Sequence, residues 1–488
     1  MEAFVDWLNS SVLWSNPVIY IILAIGLFFS IITRFLQVRH IKDMWTLMFK
    51  GKSSEAGVSS FQALSIALSG RIGTGNIAGV ATAIAMGGPG AVFWMWFMAF
   101  LGAGTAFVES TLAQIYKVKK DGVYRGGPAF YIEKGLGIKW FAVLFAFAAI
   151  LALAILMPGI QSNSISVSAE NAFGISPSLT GGIVIVLLAL IIFGGVKRIA
   201  KVAQFVVPFM AAAYILVSLF IIVMNFTEIP NVIALIFKSA FAVDSVFGGL
   251  IGSAIAWGVK RGVYSNEAGQ GTGAHAAAAA EVSHPVKQGL VQSFSIYIDT
   301  LFVCTATAFM ILFTGAFNTY EADGTTPVVE NIPGVEAGAG YTQSAVETVL
   351  PGFGAGFVAV SLFFFCFTTI MAYYYMSETN VAYLVNERFR KPAMFILKIV
   401  LLVSTFYGAL RTADLAWAFG DVGLGIMVWL NLIAILLLSK KAIIALKDYE
   451  AQKKQGLDPV FNSTKLGIKN AEYWENGYKE EPEKEKVS

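Results

Sequence analysis

Apolar residues fall into eleven runs of spanning length, near 17–36, 60–84, 91–115, 139–165, 180–196, 202–225, 246–264, 288–316, 353–386, 393–410 and 416–439. About 20 such residues cross the hydrocarbon core as a helix, so the pattern predicts an all-α integral membrane protein with eleven transmembrane helices. The polar connections alternate in charge. Arg34, Arg39, Lys42, Lys50 and Lys52 follow the first run, Lys117, Lys119, Lys120, Arg125, Lys134 and Lys139 the third, and Lys197, Arg198 and Lys201 the fifth. Lys260, Arg261 and Lys287, then Arg388, Arg390 and Lys391, continue the basic series. The connections between them carry no charge at 87–90, Glu170, then Glu228, Lys238 and Asp244, then a 315–350 segment with Glu321, Asp323, Glu330, Glu336 and Glu347 and no Lys or Arg. The basic connections should be cytoplasmic, which places the N-terminus outside and the tail from Lys440 inside.

Two runs are interrupted. Ser69-Gly70-Arg71-Ile72-Gly73-Thr74-Gly75-Asn76-Ile77-Ala78-Gly79 puts glycines, an Arg and an Asn at membrane depth, where irregular backbone is tolerated only if protein or a water-filled cavity satisfies it. A second stretch, Ser253 to Gly271, passes into a Gly-rich turn, with its break read at Trp257 to Gly262. With the first helix set aside as an extra, the breaks fall in the first and sixth of ten core helices. That is the five-plus-five inverted repeat of secondary transporters, with the site at the broken helices. The predicted organisation is an extra N-terminal helix and cytoplasmic loop over 1–57, a first repeat over 58–226, a second over 227–445, and a loosely ordered cytoplasmic C-terminal tail over 446–488. Unwound turns expose N–H groups that favour a carboxylate and carbonyls that attract a cation. A zwitterionic amino acid with Na⁺ meets both demands.

Composition sharpens this picture. Of 488 residues 57% are hydrophobic and 13% charged, and the mean hydropathy is +0.69, which excludes an ordinary soluble domain. Glu2 and Asp6 precede the first run without a Lys or Arg, unlike a secretory signal peptide, so the N-terminus is read as retained. Cys304 and Cys366 lie in apolar runs, and neither a disulfide framework nor a thiolate metal site is readable. Gly73 to Ala78 also fits the G-x-G-x-x-G/A nucleotide fingerprint, but no strand precedes it and Met95 and Trp96 stand where a ribose-binding acid belongs. Gly75 and Gly79 alone would suit close helix packing, which leaves Arg71, Thr74 and Asn76 without a reason to be there.

Gly-Thr-Gly-Asn-Ile-Ala-Gly in the first broken helix, Arg261-Gly262-Val263-Tyr264-Ser265-Asn266-Glu267-Ala268-Gly269 after the second, and eleven spans together resemble the alanine or glycine:cation symporter family over about 15–445. That family is similar in fold to the leucine transporter, and the resemblance implies sodium-coupled uptake of small neutral amino acids across a bacterial or archaeal cell membrane, with glutamine as an alternative substrate. Tyr264 stands where Phe is expected in many members, and Gln270 where Leu is expected. By the same resemblance, Thr74, Gly75 and Asn76 contact the substrate's carboxylate and amine, Gln161 binds substrate, and Trp257, Gly258 and Val259 wall its side chain. A sodium ion would lie between carbonyls of Ser69 and Ile72 and the hydroxyls of Thr368 and Thr369, with Asn76 serving a possible second ion. Back-bonding of Thr368 and Thr369 to their own helix is the plainer alternative.

The remaining intramembrane charges are assigned structural or coupling roles. Glu109 requires a partner or a proton, with Arg71 or Arg261 as the expected partner. Glu267 and Asp299 are further coupling candidates, Glu109 or Asp299 would be the alternative proton carrier, and Asp299 with Thr300 is a weaker sodium-site candidate. The three histidines, His40, His275 and His284, fall in predicted connections, which disfavours a histidine proton pump. No cofactor, nucleic-acid partner or enzymatic nucleophile–base set is readable. An intramembrane enzyme is the remote alternative, and the oligomeric state is not legible.

Overall fold

The computed structural model describes residues 2–51, 53–243, 246–475 and 478; Lys52, Asp244 and the last part of the 446–488 tail lie outside them. The principal helices are α1 (Asn16–Ile32), α2 (Ser60–Arg71), α3 (Val80–Gly87), α4 (Gly90–Ile115), α5 (Lys139–Leu151), α6 (Pro158–Phe173), α7 (Pro177–Ile192), α8 (Gly195–Met224), α9 (Ile229–Ala240), α10 (Ile251–Asn266) and α11 (Thr272–Ala278). They continue with α12 (Pro285–Ile296), α13 (Thr305–Thr314), α14 (Ala339–Val349), α15 (Gly354–Leu384), α16 (Glu387–Ala409) and α17 (Ala413–Lys454). Two small antiparallel hairpins complete the fold, β1 (Val118–Lys120) with β2 (Val123–Arg125), and β3 (Asn318–Tyr320) with β4 (Pro327–Glu330).

Among the described residues, seven helical segments are long and apolar enough to span a membrane, and an eighth arises if the bent pair Phe4–Leu13 and Asn16–Ile32 counts as one. The apolar α7, of 16 residues, and the interrupted runs through α2–α3 and α10–α11 supplement these. The chain is a multi-pass helical membrane protein.

Local chemistry explains where α2 starts and stops. The Ser59 hydroxyl accepts from the Gln62 N–H at 3.2 Å, and the Gln62 side-chain oxygen accepts from the Ser59 N–H at 3.0 Å. This reciprocal cap satisfies two otherwise orphaned donors. At the other end Ile72 turns extended, at φ −75° and ψ 90°, and Gly75–Gly79 resumes as a wider π turn leading into α3. Such π turns concentrate at functional sites. Others join α5 to α6 at Ala152–Leu156 and α12 to α13 at Tyr297–Cys304.

The second break lies further along than expected. The α10 helix runs unbroken through Trp257 to Gly262 and stops only at Glu267, which takes the left-handed conformation at φ 58°, followed by Gly269 at φ 86° and Gly271 at φ 82°. The close glycines of α10 serve packing. A Cβ on Gly258 would come within 2.5 Å of Trp94 Cβ and 2.6 Å of the Ala91 oxygen on α4. Lys260 and Arg261, counted above with a cytoplasmic connection, sit in mid-helix. Their charge is balanced by Asp421 on α17, so a charge rule that reads loops misassigns them.

The C-terminal stretch also departs from expectation. The α17 helix runs 42 residues to Lys454, and the following chain folds back with Phe461, Ile468, Ala471 and Trp474 buried. Up to Glu475 it is packed structure rather than a loose tail.

Candidate functional site

The two breaks meet at the centre of the bundle. A Cβ on Gly75 would touch Tyr264 at 3.0 Å and the Ser265 Cα at 3.2 Å, so the first break lies directly against the last turn of α10. The Arg71 guanidinium ties them together. Its Nε donates to the Asn266 carbonyl at 2.7 Å, and its Nη1 donates to Gln292 Oε1 at 3.0 Å and to the Ser295 hydroxyl. Arg71 thereby satisfies one of the carbonyls that the end of α10 leaves open.

Around Gly73 the structure gathers polar atoms from three elements. The Thr74 N–H donates to Gln161 Oε1 at 3.1 Å, and Gln161 Nε2 donates to the Tyr264 hydroxyl at 3.2 Å. The Thr74 hydroxyl meets that of Ser164 at 2.5 Å. From α15, the Thr369 hydroxyl reaches the Ile72 carbonyl at 3.3 Å. A Cβ on Gly73 would lie 2.5 Å from Thr369 Oγ1 and 2.9 Å from Gln161 Oε1. Only glycine leaves the space between these oxygens clear.

A second polar cluster surrounds Asp299, in the π turn between α12 and α13. Asn76 Nδ2 donates to its Oδ1 at 2.6 Å, Ser265 to its Oδ2 at 2.9 Å and Thr300 to its Oδ2 at 2.7 Å. Asn76 Oδ1 accepts from the Gly73 N–H at 2.8 Å, which links the two clusters through one side chain. Buried carboxylates need such donors.

Not every expected residue comes to the breaks. Both threonine hydroxyls bond their own helix, Thr368 to the Phe364 and Phe365 carbonyls and Thr369 to the Phe365 carbonyl, all at 3.0 Å, and only Thr369 also reaches Ile72. The hydroxyl of Ser69, a residue expected to contribute its carbonyl, donates to the Ile66 carbonyl at 2.7 Å. Gly258 faces α4, and Val259 is fully buried beside it. Trp257 lies under Lys260 and Arg261, whose charges stand 5.1 and 5.0 Å from its ring. The aromatic ring placed against the first break is instead that of Tyr264, 5.1 Å from Trp417 between ring centres.

The intramembrane acids find partners other than those expected. Glu109 Oε2 accepts from the Gly271 N–H at 3.1 Å and from Asn431 Nδ2 at 2.9 Å, and Asn431 also donates to the Gly269 carbonyl at 2.9 Å. Neither Arg71 nor Arg261 is its ion-pair partner. Glu109 holds the second break against α17. Glu267 Oε2 accepts from Thr272 at 2.9 Å. Arg261 instead binds Asp421 Oδ1 at 3.0 Å, and Lys260 binds Asp421 Oδ2 at 2.6 Å, while the Arg261 guanidinium covers the Trp417 ring at 4.2 Å.

A cavity of about 510 Å³ opens at the β3–β4 end of the bundle, lined by Ala78, Asn163, Ser164, Gln343 and Trp417 among others. Its floor reaches Ser164, the partner of Thr74. Ser164, Ser265, Trp417 and Asp421 had no assigned role in the sequence, whereas Thr300 was expected beside Asp299 as a weaker sodium-site candidate and does bond it. Ser164 was findable, since it sits three residues from Gln161 and so on the same helix face.

A helical membrane bundle in which two interrupted spans meet, their broken backbone held by polar side chains, is the arrangement of a secondary transporter. The chain belongs to the sodium:alanine symporter family, whose model matches residues 1–463. A Bacillus subtilis protein with the proposed name of sodium/proton-dependent alanine carrier YrbD is 72% identical over 484 residues, spanning 99% of this chain and 100% of that one. The sodium/proton-dependent alanine carrier protein of Bacillus sp. strain PS3 is 61% identical, over 90% and 99% of the two chains. Among solved structures, a mutant of the Eremococcus coleocola manganese transporter aligns with a TM-score of 0.51 at 11% identity, covering 85% of this chain and 93% of that one. That likeness concerns fold alone.

Proposed function

We propose that the chain is a sodium-coupled symporter that carries small neutral amino acids, alanine and glycine, into the cell by alternating access. Its spans number eleven, an extra N-terminal helix followed by the two inverted five-helix repeats, with the N-terminus outside and the basic end cytoplasmic. The observation that carries this reading is the Gly73–Thr74 break, held between Gln161 of α6 and Thr369 of α15. The Thr74 N–H is a donor for a substrate carboxylate, and Gln161 Oε1 is an acceptor for its ammonium. Ile72 O and Thr369 Oγ1 are hard oxygen ligands suited to a sodium ion. The Asp299 cluster, with Asn76, Ser265 and Thr300, supplies a second anionic set of oxygens and suits a second cation. Tyr264 bounds the space for the side chain and favours small substrates.

The names of the two relatives support alanine as cargo and leave both Na⁺ and H⁺ as driving ions. Uptake of radiolabelled alanine into proteoliposomes tests the reading. An inward Na⁺ gradient should drive accumulation, and equal uptake with and without that gradient would sink the coupling. Proton coupling is the second reading, favoured by the buried carboxylate of Asp299. It requires that collapsing the pH gradient abolish uptake and that Asp299→Asn do the same.

A further inference from the structure

The sharpest feature outside the substrate site is the chain after α17. It crosses the cytoplasmic ends of both repeats and is pinned at each. On the second-repeat side, the Phe461 N–H donates to the Ser283 carbonyl at 2.9 Å, Ser283 Oγ donates to the Pro459 carbonyl at 2.9 Å, and Lys287 binds Asp458 at 2.6 Å. On the first-repeat side, Trp474 is fully buried and its indole N–H donates to the Gln114 carbonyl at 2.8 Å. Asn470 donates to the Lys134 carbonyl at 3.0 Å, and Glu472 pairs with Lys134 at 2.5 Å.

Beneath this crossing lies the seam between the approaches to the two broken helices. Val58, just before α2, and Ala280, just after α11, form a strand-like bridge, with Val58 N–H to the Ala279 carbonyl at 3.0 Å and Glu281 N–H to the Val58 carbonyl at 2.9 Å. Glu281 Oε2 accepts from Ser54 at 2.7 Å and from Tyr124 at 2.8 Å. The crossing segment locks onto this seam directly. Tyr473 and Tyr124 share a hydroxyl contact at 2.9 Å. The Lys117 ammonium lies 4.2, 4.3 and 5.1 Å from the rings of Tyr124, Tyr473 and Trp474 while donating to the Ala280 carbonyl at 3.1 Å. A desolvated cation enclosed by three aromatic faces gains more from each than an exposed one does. Those rings come from both the seam and the crossing segment.

We propose that residues 456–475 form a strap that holds the cytoplasmic mouth of the transporter shut, and that displacement of Trp474 accompanies the opening that releases substrate inward. The reasoning is steric and rests on the alternating-access reading. Substrate at Gly73 can reach the cytoplasm between α2 and α11 only if the Val58–Ala280 seam parts. Parting moves Ala280 and Tyr124 away from each other, which breaks the aromatic enclosure of Lys117 and the Tyr473–Tyr124 contact together. The strap thus biases the resting equilibrium towards the state closed on the inside, and any partner or modification that withdraws it would speed the inward-open state.

The test reads the mouth itself and not transport, so its failure is distinct from failure of the alanine assignment. A single reactive cysteine, Ala56→Cys, is placed in the seam, where Ala56 is 6% exposed; Cys304 and Cys366 are buried. Inside-out vesicles are treated with a membrane-impermeant maleimide. Adding Trp474→Ala to the full chain should raise the labelling rate roughly tenfold, the change expected when the closed state loses the equivalent of one tenfold step in its equilibrium. Tyr473→Phe should raise it by less. A control cysteine at Thr325, in the β3–β4 turn, should label at an unchanged rate from the other side. If Trp474→Ala does not fold, Tyr473→Phe decides. An unchanged Ala56→Cys rate in the folded variants, or an equal rise at Thr325→Cys, overturns the strap.

Discussion

Thr368 and Thr369 are neighbours in sequence with identical chemistry, yet only one faces the break. On a helix, adjacent residues point about 100° apart, so α15 can present one hydroxyl to Ile72 and must turn the other back on itself. Thr369→Val should therefore raise the Na⁺ concentration for half-maximal alanine uptake by roughly tenfold or more, the loss of a charge-assisted contact of about 1.5–3 kcal/mol. Thr368→Val, which removes bonds to its own helix and a weak contact with the Met210 sulfur, should change it by less than about twofold. Measuring Na⁺ dependence for both in proteoliposomes checks this, and equal effects would refute the assignment. Thr74, Asn76 and Gln161 could be singled out from sequence because each is a polar residue that lipid would penalise unless protein engages it. Their partners could not. Ser164 and Ser265 look ordinary until the folding of distant segments brings them to Thr74 and Asp299.

Charges on α10 cap the first break. Asp421 is 4% exposed and faces both Lys260 and Arg261, and the Arg261–Trp417 stack closes over Gly79, whose Cβ position is 3.8 Å from Trp417 and 3.9 Å from Arg261. Trp417 of this layer lines the cavity at the β3–β4 end together with Ala78 of the first break. Removing the shared acid leaves buried cations without a counter-charge, which costs about 3–5 kcal/mol. Asp421→Asn should accordingly lower the detergent melting temperature by several degrees, whereas Lys260→Met, which leaves the Arg261–Asp421 pair intact, should lower it much less. Thermal unfolding monitored by tryptophan fluorescence distinguishes the two. The first break was legible because four glycines and an Asn interrupt an apolar run. The second was placed too early because glycine marks packing as readily as unwinding: Gly258 and Gly262 look like a break but serve the contact with α4. The true stop, at Glu267, carries a left-handed residue that is not glycine.

At the scale of the whole transporter, one Na⁺ moving down a tenfold gradient yields about 1.4 kcal/mol, and one charge crossing 100 mV adds about 2.3 kcal/mol. With one-to-one coupling, alanine should accumulate to a ratio of several hundred under those two forces, and a plateau measured in vesicles with imposed potentials checks it. A much higher ratio would mean that the Asp299 cluster carries a second ion. The helical membrane class was readable because apolar length and loop charge act over tens of residues, whereas the folded C-terminal stretch was hidden by its Lys, Glu and Asn content. Phe461, Ile468 and Trp474 are spaced too widely to form a helical stripe, and Phe461 and Trp474 find cover on each other, on the Gln114 end of α4 and on His284 before α12. The length of α17 has a mechanical consequence. At about 1.5 Å per residue its 42 residues make a rod of about 63 Å, twice the thickness of the hydrocarbon core. Asp421 holds Lys260 and Arg261 near one end, and Asp448 and Glu450 hold His284, Arg34 and Arg39 near the other. Between Asp421 and Asp448 the rod is about 40 Å long, so a tilt of about 5° pivoting at one contact swings the other by about 3.5 Å, more than the reach of a hydrogen bond. On the alternating-access reading, the helix is thus a lever whose two ends cannot both keep their contacts through a rocking stroke.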